Sequence, residues 1–423
     1  MLNMDKFIPV ILLFFFISGT FATALNPVSA SELVEDSWNT KTPMTQARAS
    51  LGVIAVDGKI YAIGGYSADG SVVGTNERYN PKTDEWVTMT SMPTARKNFA
   101  AVVHEGKIYC IGGESKNGIT SVIEVYDTVT DKWNIKKNVP FNVVCNIRAN
   151  VVGGQIFIIH GKNLFIYDTV ADVWTQKNSI PHLDDSMPQS DDTGVPSYDF
   201  TFVMDNKIIA YFKYSYEYLR YNEKVMIYDI KTDVWSEGKT STTEGIYAKP
   251  NKWSDTSGYI HITASCMTTG VYAPKKVYAF GLGPGPGQPT FINWVYDPVK
   301  DTWSNIENIP IYIDQFGVAV VDDILYVIGG KEAFGYGVCS GNEQYVPIGY
   351  HNTLSSIISP SATLPPSNAV VSTEPDSSES EHVWSFLIPS VVVATVLTVG
   401  GVTALFFYLR GRKRPGSDTP RLV

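Results

Sequence analysis

One eight-residue pattern, which begins with Tyr and ends with Trp, occurs five times along the chain. In each copy an Asn or Asp follows the Tyr, and an Asp lies two residues before the Trp. The Asp, Asn, Pro and Thr residues between them favour a tight turn, so each copy predicts a strand end, a turn and a strand start. The copies are Tyr79–Trp86, Tyr126–Trp133, Tyr167–Trp174, Tyr228–Trp235 and Tyr296–Trp303.

A pair of apolar strands joined by a short turn precedes each copy and occurs once more at Gly317–Gly330. Turn residues such as Asp57-Gly58 are typical of two-residue hairpins. Each unit therefore predicts four short antiparallel strands. Because one such unit cannot bury both of its faces, the copies are expected to stack around a common axis. Three of the second strands end in a double glycine, at Gly64-Gly65, Gly112-Gly113 and Gly329-Gly330.

The N-terminal stretch EDSWNTKTPM (Glu35–Met44) contains a Trp but follows no strand pair. The last unit, up to residue 351, lacks the complementary part: it has three predicted strands and no Trp-containing strand after them. Trp38 is therefore predicted to lie in the outermost strand of the last unit. This strand would join the two ends of the repeat region and turn five visible repeats into six.

These residues resemble the Kelch-repeat family, whose marks are a double Gly, then a Tyr and then a Trp at fixed spacing. The first two units carry the full set, as Gly64-Gly65, Tyr79 and Trp86, and as Gly112-Gly113, Tyr126 and Trp133. The units around Trp174, Trp235 and Trp303 lack the full glycine pair but keep the Tyr and Trp. The resemblance implies an all-β fold, a six-bladed Kelch-type β-propeller closed by an N-terminal strand, over residues 31–351.

The remaining segments predict a membrane-anchored surface protein. Residues 1–24 combine Lys6, the apolar run Phe7–Ile17 and the small-residue site Ala22-Thr23-Ala24, which is typical of a secretory signal. Cleavage as late as Ala30 and an uncleaved signal anchor stay open. Residues 352–382 are rich in Ser, Thr and Pro and predict a stalk. Residues 383–409 carry no charge and predict one transmembrane helix, and the basic tail, residues 410–423, is expected in the cytoplasm.

The acidic balance, a formal net charge of −9, argues against a nucleic-acid partner, for which a basic surface is expected. The four cysteines lack CxxC spacing, and disulfides and free thiols both stay open. The six histidines form no metal-ligand pair, and no nucleophile motif is present, so the sequence predicts no metal, no cofactor and no catalytic residue.

Five residues are candidates for ligand contact. The resemblance implies that arginines ahead of the inner strands reach the ligand face, and Arg48 and Arg96 occupy these positions. Arg148 lies within the inner strand of the third unit and is expected to face the central channel. Tyr216 and Tyr218 alternate along an extended segment and would share one face, as an aromatic platform for a sugar or a protein. Structural roles, in loop hydrogen bonding for the arginines and in packing between units for the tyrosines, are the alternatives.

The predicted function is that of an extracellular module that binds a protein or a glycan, or acts in adhesion, on a membrane anchor. The alternative is an exported Kelch-like carbohydrate enzyme of the sugar or sialic-acid epimerase type. Such an enzyme would need Arg48, Arg96, Glu105 and Glu114 to converge on the channel. A copper oxidase and a cytosolic ubiquitin-ligase adaptor are less favoured, because the former needs a specific His and Tyr–Cys set and the latter carries no secretory signal.

Overall fold

A computed structural model describes residues 33–141, 147–160, 162–181, 198–216, 220–238, 261–283, 290–300, 302–333, 335 and 337–351. All of them lie within one compact unit, residues 1–359. The signal peptide, stalk, transmembrane helix and basic tail predicted from the sequence fall outside the described residues. Over the described ranges the fold is all-β, with 29 strands and no helix. Consequently, none of these residues belongs to a helix long and apolar enough to cross a membrane.

The described strands form six four-stranded antiparallel sheets, numbered here in chain order of their inner strands. Sheet 1 contains β2 (Gly52–Val56), β3 (Lys59–Ile63), β4 (Asn76–Asn80) and β5 (Glu85–Met89). Sheet 2 contains β7 (Ala100–His104), β8 (Lys107–Ile111), β11 (Ile123–Asp127) and β12 (Lys132–Lys136). Sheet 3 contains β13 (Arg148–Val152), β14 (Gln155–His160), β15 (Asn163–Asp168) and β16 (Val173–Gln176).

The other three sheets have the same antiparallel pairing. Sheet 4 contains β17 (Tyr198–Met204), β18 (Lys207–Tyr216), β19 (Arg220–Asp229) and β20 (Val234–Glu237). Sheet 5 contains β21 (His261–Met267), β22 (Val277–Gly283), β23 (Thr290–Asp297) and β24 (Thr302–Asn305). Sheet 6 contains β26 (Gly317–Val321), β27 (Ile324–Ile328), β29 (Asn342–Val346) and β1 (Ser37–Thr40). Two small ribbons contain β6 (Arg96–Lys97), β9 (Glu114–Ser115) and β10 (Gly118–Ile119), and β25 (Ile313–Asp314) and β28 (Lys331–Glu332).

Strand β1 is the outermost strand of sheet 6, although it comes first in the chain. It pairs antiparallel with β29, and Trp38 lies opposite Tyr345. The pairing predicted for Trp38 is therefore present in the structure. Because the other three strands of sheet 6 come last in the repeat region, β1 ties the two ends of that region together.

The inner strands of successive sheets pack against one another. β2 contacts β7, β7 contacts β13, and the series continues through β17 and β21 to β26, which also contacts β2. The last contact is close, because a Cβ placed on Gly317 would overlap the side chain of Val53. Glycine at position 317 thus lets sheet 6 approach sheet 1. The described residues have the arrangement expected of a β-propeller.

The hydrophobic core lies between the sheets rather than at one centre. Each hydrophobic cluster of the described residues combines buried or partly buried side chains of two neighbouring sheets, such as Ile60 of sheet 1 with Tyr326 of sheet 6. Another combines Ile158 of sheet 3 with Val102 of sheet 2. A sheet therefore buries both faces only when it has a neighbour on each side.

The recurring Tyr and Trp form a close pair of tilted rings at the outer edge of each of the six sheets. In sheet 2 the rings of Tyr126 and Trp133 lie 5.0 Å apart, and the Tyr126 hydroxyl donates to Asp131 at 2.7 Å. Asp131 occupies the left-handed region, with φ 55°, which Asp tolerates better than most residues. The equivalent ring pairs are Trp38 with Tyr345, Tyr79 with Trp86, Tyr167 with Trp174, Tyr228 with Trp235 and Tyr296 with Trp303.

Candidate functional site

A cavity of about 260 Å³ lies at the end of the sheets where the inner strands begin. We call this the loop end, and the opposite end, where the inner strands turn into the second strands, the hairpin end. Each of the six inner strands contributes one residue to the cavity wall, and these residues occupy equivalent positions in the hairpin register of their sheets. These residues are Val53, Ala101, Ala149, Thr201, Ser265 and Val318. Small side chains at these positions leave the axis open.

The cavity has an apolar and a polar side. Leu51, Val53, Phe99 and Phe316 come from sheets 6, 1 and 2 and supply hydrocarbon surface. Thr201, Thr263 and Ser265 come from sheets 4 and 5 and supply hydroxyl groups. A few fixed polar groups among apolar ones are typical of sites that orient a small ligand group.

Arg148 is the one charged residue among the described residues that line the cavity. It begins the inner strand of sheet 3, at the position that Gly52, Ala100 and Gly317 occupy in other sheets. The predicted candidate Arg148 therefore lies in the wall of the cavity. Its charge makes this side of the cavity suited to an anionic or strongly polar group.

Three polar residues at the rim of the cavity share an unusual backbone conformation. Ser50, Asn98 and Gln315 each lie two residues before the start of an inner strand and have φ of 53°, 54° and 56°. The Ser50 amide donates to the Gln315 carbonyl at 2.8 Å, and the Asn98 amide donates to the Ser50 carbonyl at 3.0 Å. This backbone chain links sheets 6, 1 and 2 around the rim. The sequence analysis did not identify these three residues, because their shared conformation leaves no common residue type.

The Gln315 side chain is held in place by two hydroxyl groups. Tyr66 Oη lies 2.8 Å and Ser50 Oγ 3.1 Å from Gln315 Oε1. Burial raises the pKa of Tyr66, and the charge of Asp314 adds to the rise, so the hydroxyl stays protonated at neutral pH. Lys97 Nζ lies 5.6 Å from the Tyr66 ring centre and 3.4 Å from Glu114 Oε2. A connected polar network therefore borders the apolar side of the cavity.

Arg48 and Arg96 do not reach the cavity. Both are completely buried, and Arg48 Nη2 lies 2.7 Å from Glu77 Oε2 while Nη1 donates to the Gly64 carbonyl at 2.8 Å. Arg96 Nη2 lies 3.1 Å from Glu124 Oε2 and 3.0 Å from the Cys110 carbonyl. Burial lowers the pKa of both arginines, and the neighbouring glutamates oppose this shift. These partners favour the structural role that the sequence also allowed over the ligand contact predicted for Arg48 and Arg96.

The four residues that the enzyme alternative requires are dispersed. Arg48 and Arg96 are buried and pair with Glu77 of sheet 1 and Glu124 of sheet 2. Glu105 is exposed in the turn at the hairpin end of sheet 2, whereas Glu114 lies in the ribbon at its loop end. The structure therefore does not bring this predicted set together on the channel. Among the described residues, no three His, Cys, Asp or Glu side chains are grouped as metal ligands.

The remaining candidates are only partly described. Tyr218 lies outside the described residues, and for Tyr216 only the backbone, in β18, is described. Among the cysteines, Cys110, Cys266 and Cys339 are free thiols, and Cys145 lies outside the described residues. Burial raises the pKa of Cys110 to about 12, which keeps its thiol protonated and unreactive at neutral pH.

The sheets and their recurring Tyr, Asp and Trp residues define a Kelch-type β-propeller module. Two Kelch motifs match the chain, over residues 47–93 and 95–140, and each match contains one complete sheet, sheet 1 or sheet 2. These two matches confirm the Kelch-repeat resemblance predicted from Gly64-Gly65, Tyr79 and Trp86. A comparison with curated proteins found no match to this chain.

Proposed function

We propose that this chain is a cell-surface binding module, a six-bladed Kelch propeller that holds a protein or glycan at its loop end. Kelch repeats generally serve in protein interaction, which supports a binding role. In this proposal the six sheets are the blades, and β1 closes the ring. The contacts of β26 with both β2 and β21 support a closed ring.

The cell-surface location rests on the segments that flank the repeats. The apolar run Phe7–Ile17 and the uncharged residues 383–409 support export and a single membrane anchor. Trypsin added to intact cells would remove a tag placed at residue 31 and spare a tag at the C-terminus. Protection of both tags would contradict an exported module.

One observation carries the binding role, the cavity at the loop end. Its wall is built from the same position of six inner strands, and its lining combines Arg148 with the hydroxyl groups of Thr201 and Ser265. The rim around it is fixed by backbone bonds between Ser50, Asn98 and Gln315. A rigid, partly polar concavity can receive a protruding group of a partner without the entropic penalty of ordering loops.

The test uses the full chain in lipid nanodiscs against arrays of purified extracellular proteins and immobilised oligosaccharides. Ser265→Trp would place a bulky ring in the cavity and is expected to weaken binding at least tenfold. Val299→Trp introduces the same ring at a turn residue that is 92% exposed and is expected to leave binding unchanged. Binding that survives Ser265→Trp in a folded chain would overturn the assignment of the cavity as the site.

A further inference from the structure

A second feature of the loop end is an exposed aromatic pair formed by Tyr312 and Phe291. The two rings lie 4.1 Å apart at an interplanar angle of 27°, so they are stacked. Phe291 covers one side of the Tyr312 ring, yet Tyr312 remains 45% exposed. Nearly half of the Tyr312 surface is therefore accessible to solvent, and Phe291 supports one side of its ring.

The backbone around Tyr312 is held by the ribbon of β25 and β28. The Ala333 amide donates to the Tyr312 carbonyl at 3.0 Å. The next residue, Ile313, is 2% exposed and pairs with Glu332 across the ribbon. Buried and paired neighbours fix the backbone at Tyr312, so little conformational entropy is lost when a ligand binds to its ring.

Tyr312 lies close to the cavity along the chain. Two residues lie between Tyr312 and Gln315, so the Cα atoms of Tyr312 and Gln315 are at most about 11 Å apart, the span of three extended Cα–Cα steps. Gln315 lines the cavity, and its amide is fixed by Tyr66 and Ser50. One extended ligand could therefore cover the aromatic ring and reach the polar rim.

We propose that Tyr312 and Gln315 form a binding site for an oligosaccharide. In this site one pyranose ring stacks on the exposed part of Tyr312, because its C–H groups complement the negative face of an aromatic ring. A hydroxyl group of the adjoining sugar bonds to the fixed amide of Gln315, and the chain continues towards the hydroxyl-lined side of the cavity. A protein partner would instead be expected to need a broader apolar contact around the ring. This inference rests on the proposed function and specifies its ligand class.

The experiment measures binding of the full chain in nanodiscs to immobilised oligosaccharides containing neutral hexoses, N-acetylhexosamines, uronic acids and sialic acid. Tyr312→Ala is expected to weaken binding about tenfold, whereas Tyr312→Trp, which keeps an aromatic face, retains it. Gln315→Ala is expected to weaken binding to the same oligosaccharides. The matched control is Ile119→Ala, since Ile119 is 51% exposed in the loop-end ribbon of sheet 2, and it should have no effect.

The outcomes separate this inference from the proposed function. Oligosaccharide binding that is lost in Ser265→Trp but unchanged in Tyr312→Ala would overturn the proposed site at Tyr312 and Gln315 and leave the cavity as the binding site. Absence of oligosaccharide binding, together with a purified protein ligand whose binding is lost in Ser265→Trp, would also overturn it and leave the binding module in place. A variant that fails to fold is recognised by its circular dichroism, and Tyr312→Trp then decides, because loss of binding by that folded variant contradicts aromatic stacking.

Discussion

At the scale of single residues, the recurring Asp and Trp form hydrogen bonds to the backbone of the connection that leads from the neighbouring sheet. The Thr90 amide, in the connection from sheet 1 to sheet 2, donates to Asp131 at 2.9 Å, and its carbonyl accepts from Trp133 Nε1 at 2.8 Å. Thr42 is bound in the same way by Asp84 and Trp86. In these two copies the Asp and the Trp therefore satisfy both backbone groups of one residue in the preceding connection, which explains why the two residue types occur together. The same double contact is made with Lys137 by Asp172 and Trp174, and with Glu307 by Asp36 and Trp38.

Replacing the aspartate should remove these hydrogen bonds and lower the free energy of unfolding in a pH-dependent way. The Tyr126 hydroxyl and the Thr90 amide donate to Asp131 and lower its pKa. A lowered pKa stabilises the fold above the unfolded value, about 3.9, and this contribution is lost as the pH falls through the folded value. Asp131→Ala should therefore reduce the free energy of unfolding by about 1–2 kcal/mol at pH 7 and by less below pH ~4.

The measurement is urea unfolding of the full chain at pH 7 and in acid. Val129→Ala, in the same turn, is the control, since Val129 is 88% exposed and its truncation should change stability by less than about 0.5 kcal/mol. Equal losses for Asp131→Ala at both pH values would mean that the carboxylate charge does not contribute.

At the scale of the elements, sheets 1 and 6 differ in one buried ion pair. In sheet 1 Glu77, two residues before Tyr79, pairs with Arg48. The equivalent Glu343 of sheet 6, two residues before Tyr345, is 4% exposed, and Ile313 occupies the arginine position. Thr40 of β1 donates to Glu343 at 2.9 Å. Strand β1, which joins the two ends of the repeat region, therefore lies beside the buried carboxyl group of Glu343. In this sheet no arginine occupies the position that Arg48 has in sheet 1.

Two matched substitutions should change stability in opposite directions. Burial raises the pKa of Glu343, so its contribution to stability is complete below the unfolded value and is lost as the pH rises through the folded one. Glu343→Gln should therefore raise the free energy of unfolding at neutral pH by roughly 1 kcal/mol, and this gain should vanish in acid. Glu77→Gln should lower it by about 3 kcal/mol, because Arg48 would lose its charged partner.

Thermal unfolding of both variants at pH 7 and pH 4 checks this pair. A loss of stability in Glu343→Gln at pH 7 similar to that in Glu77→Gln would contradict this account. It would show that other groups stabilise the buried Glu343 carboxylate without an arginine.

The sequence could predict the repeated elements but not all of their contacts. The Tyr and Trp spacing and the double glycines identified the strands, and Trp38 identified β1, because these depend on local turn chemistry and on residue type. Glu77 and Glu124 were missed as partners of Arg48 and Arg96, although a Glu two residues before the Tyr recurs and could have identified them. Tyr312 was missed because its exposure depends on the placement of Phe291, 21 residues earlier.

At the scale of the whole molecule, every hydrophobic cluster spans two sheets, so stability depends on a continuous series of neighbours. Sheets 6 and 1 meet where Gly317 approaches Val53 and where Ile60 packs with Tyr326. β1 contributes Trp38 to sheet 6, and the following connection contributes Met44 to the cluster between these sheets. The N-terminal segment thus takes part in both the last sheet and its junction with the first.

The most direct measurement is circular dichroism and calorimetry of a chain that lacks residues 31–44, compared with the full chain. If β1 closes a ring of interdependent sheets, the deletion removes an outer strand and a junction residue together. The repeat region is then expected to lose its cooperative unfolding transition and most of its β-sheet signal. A deleted chain that unfolds cooperatively at the same temperature as the full chain would contradict a ring closed by its N-terminal strand.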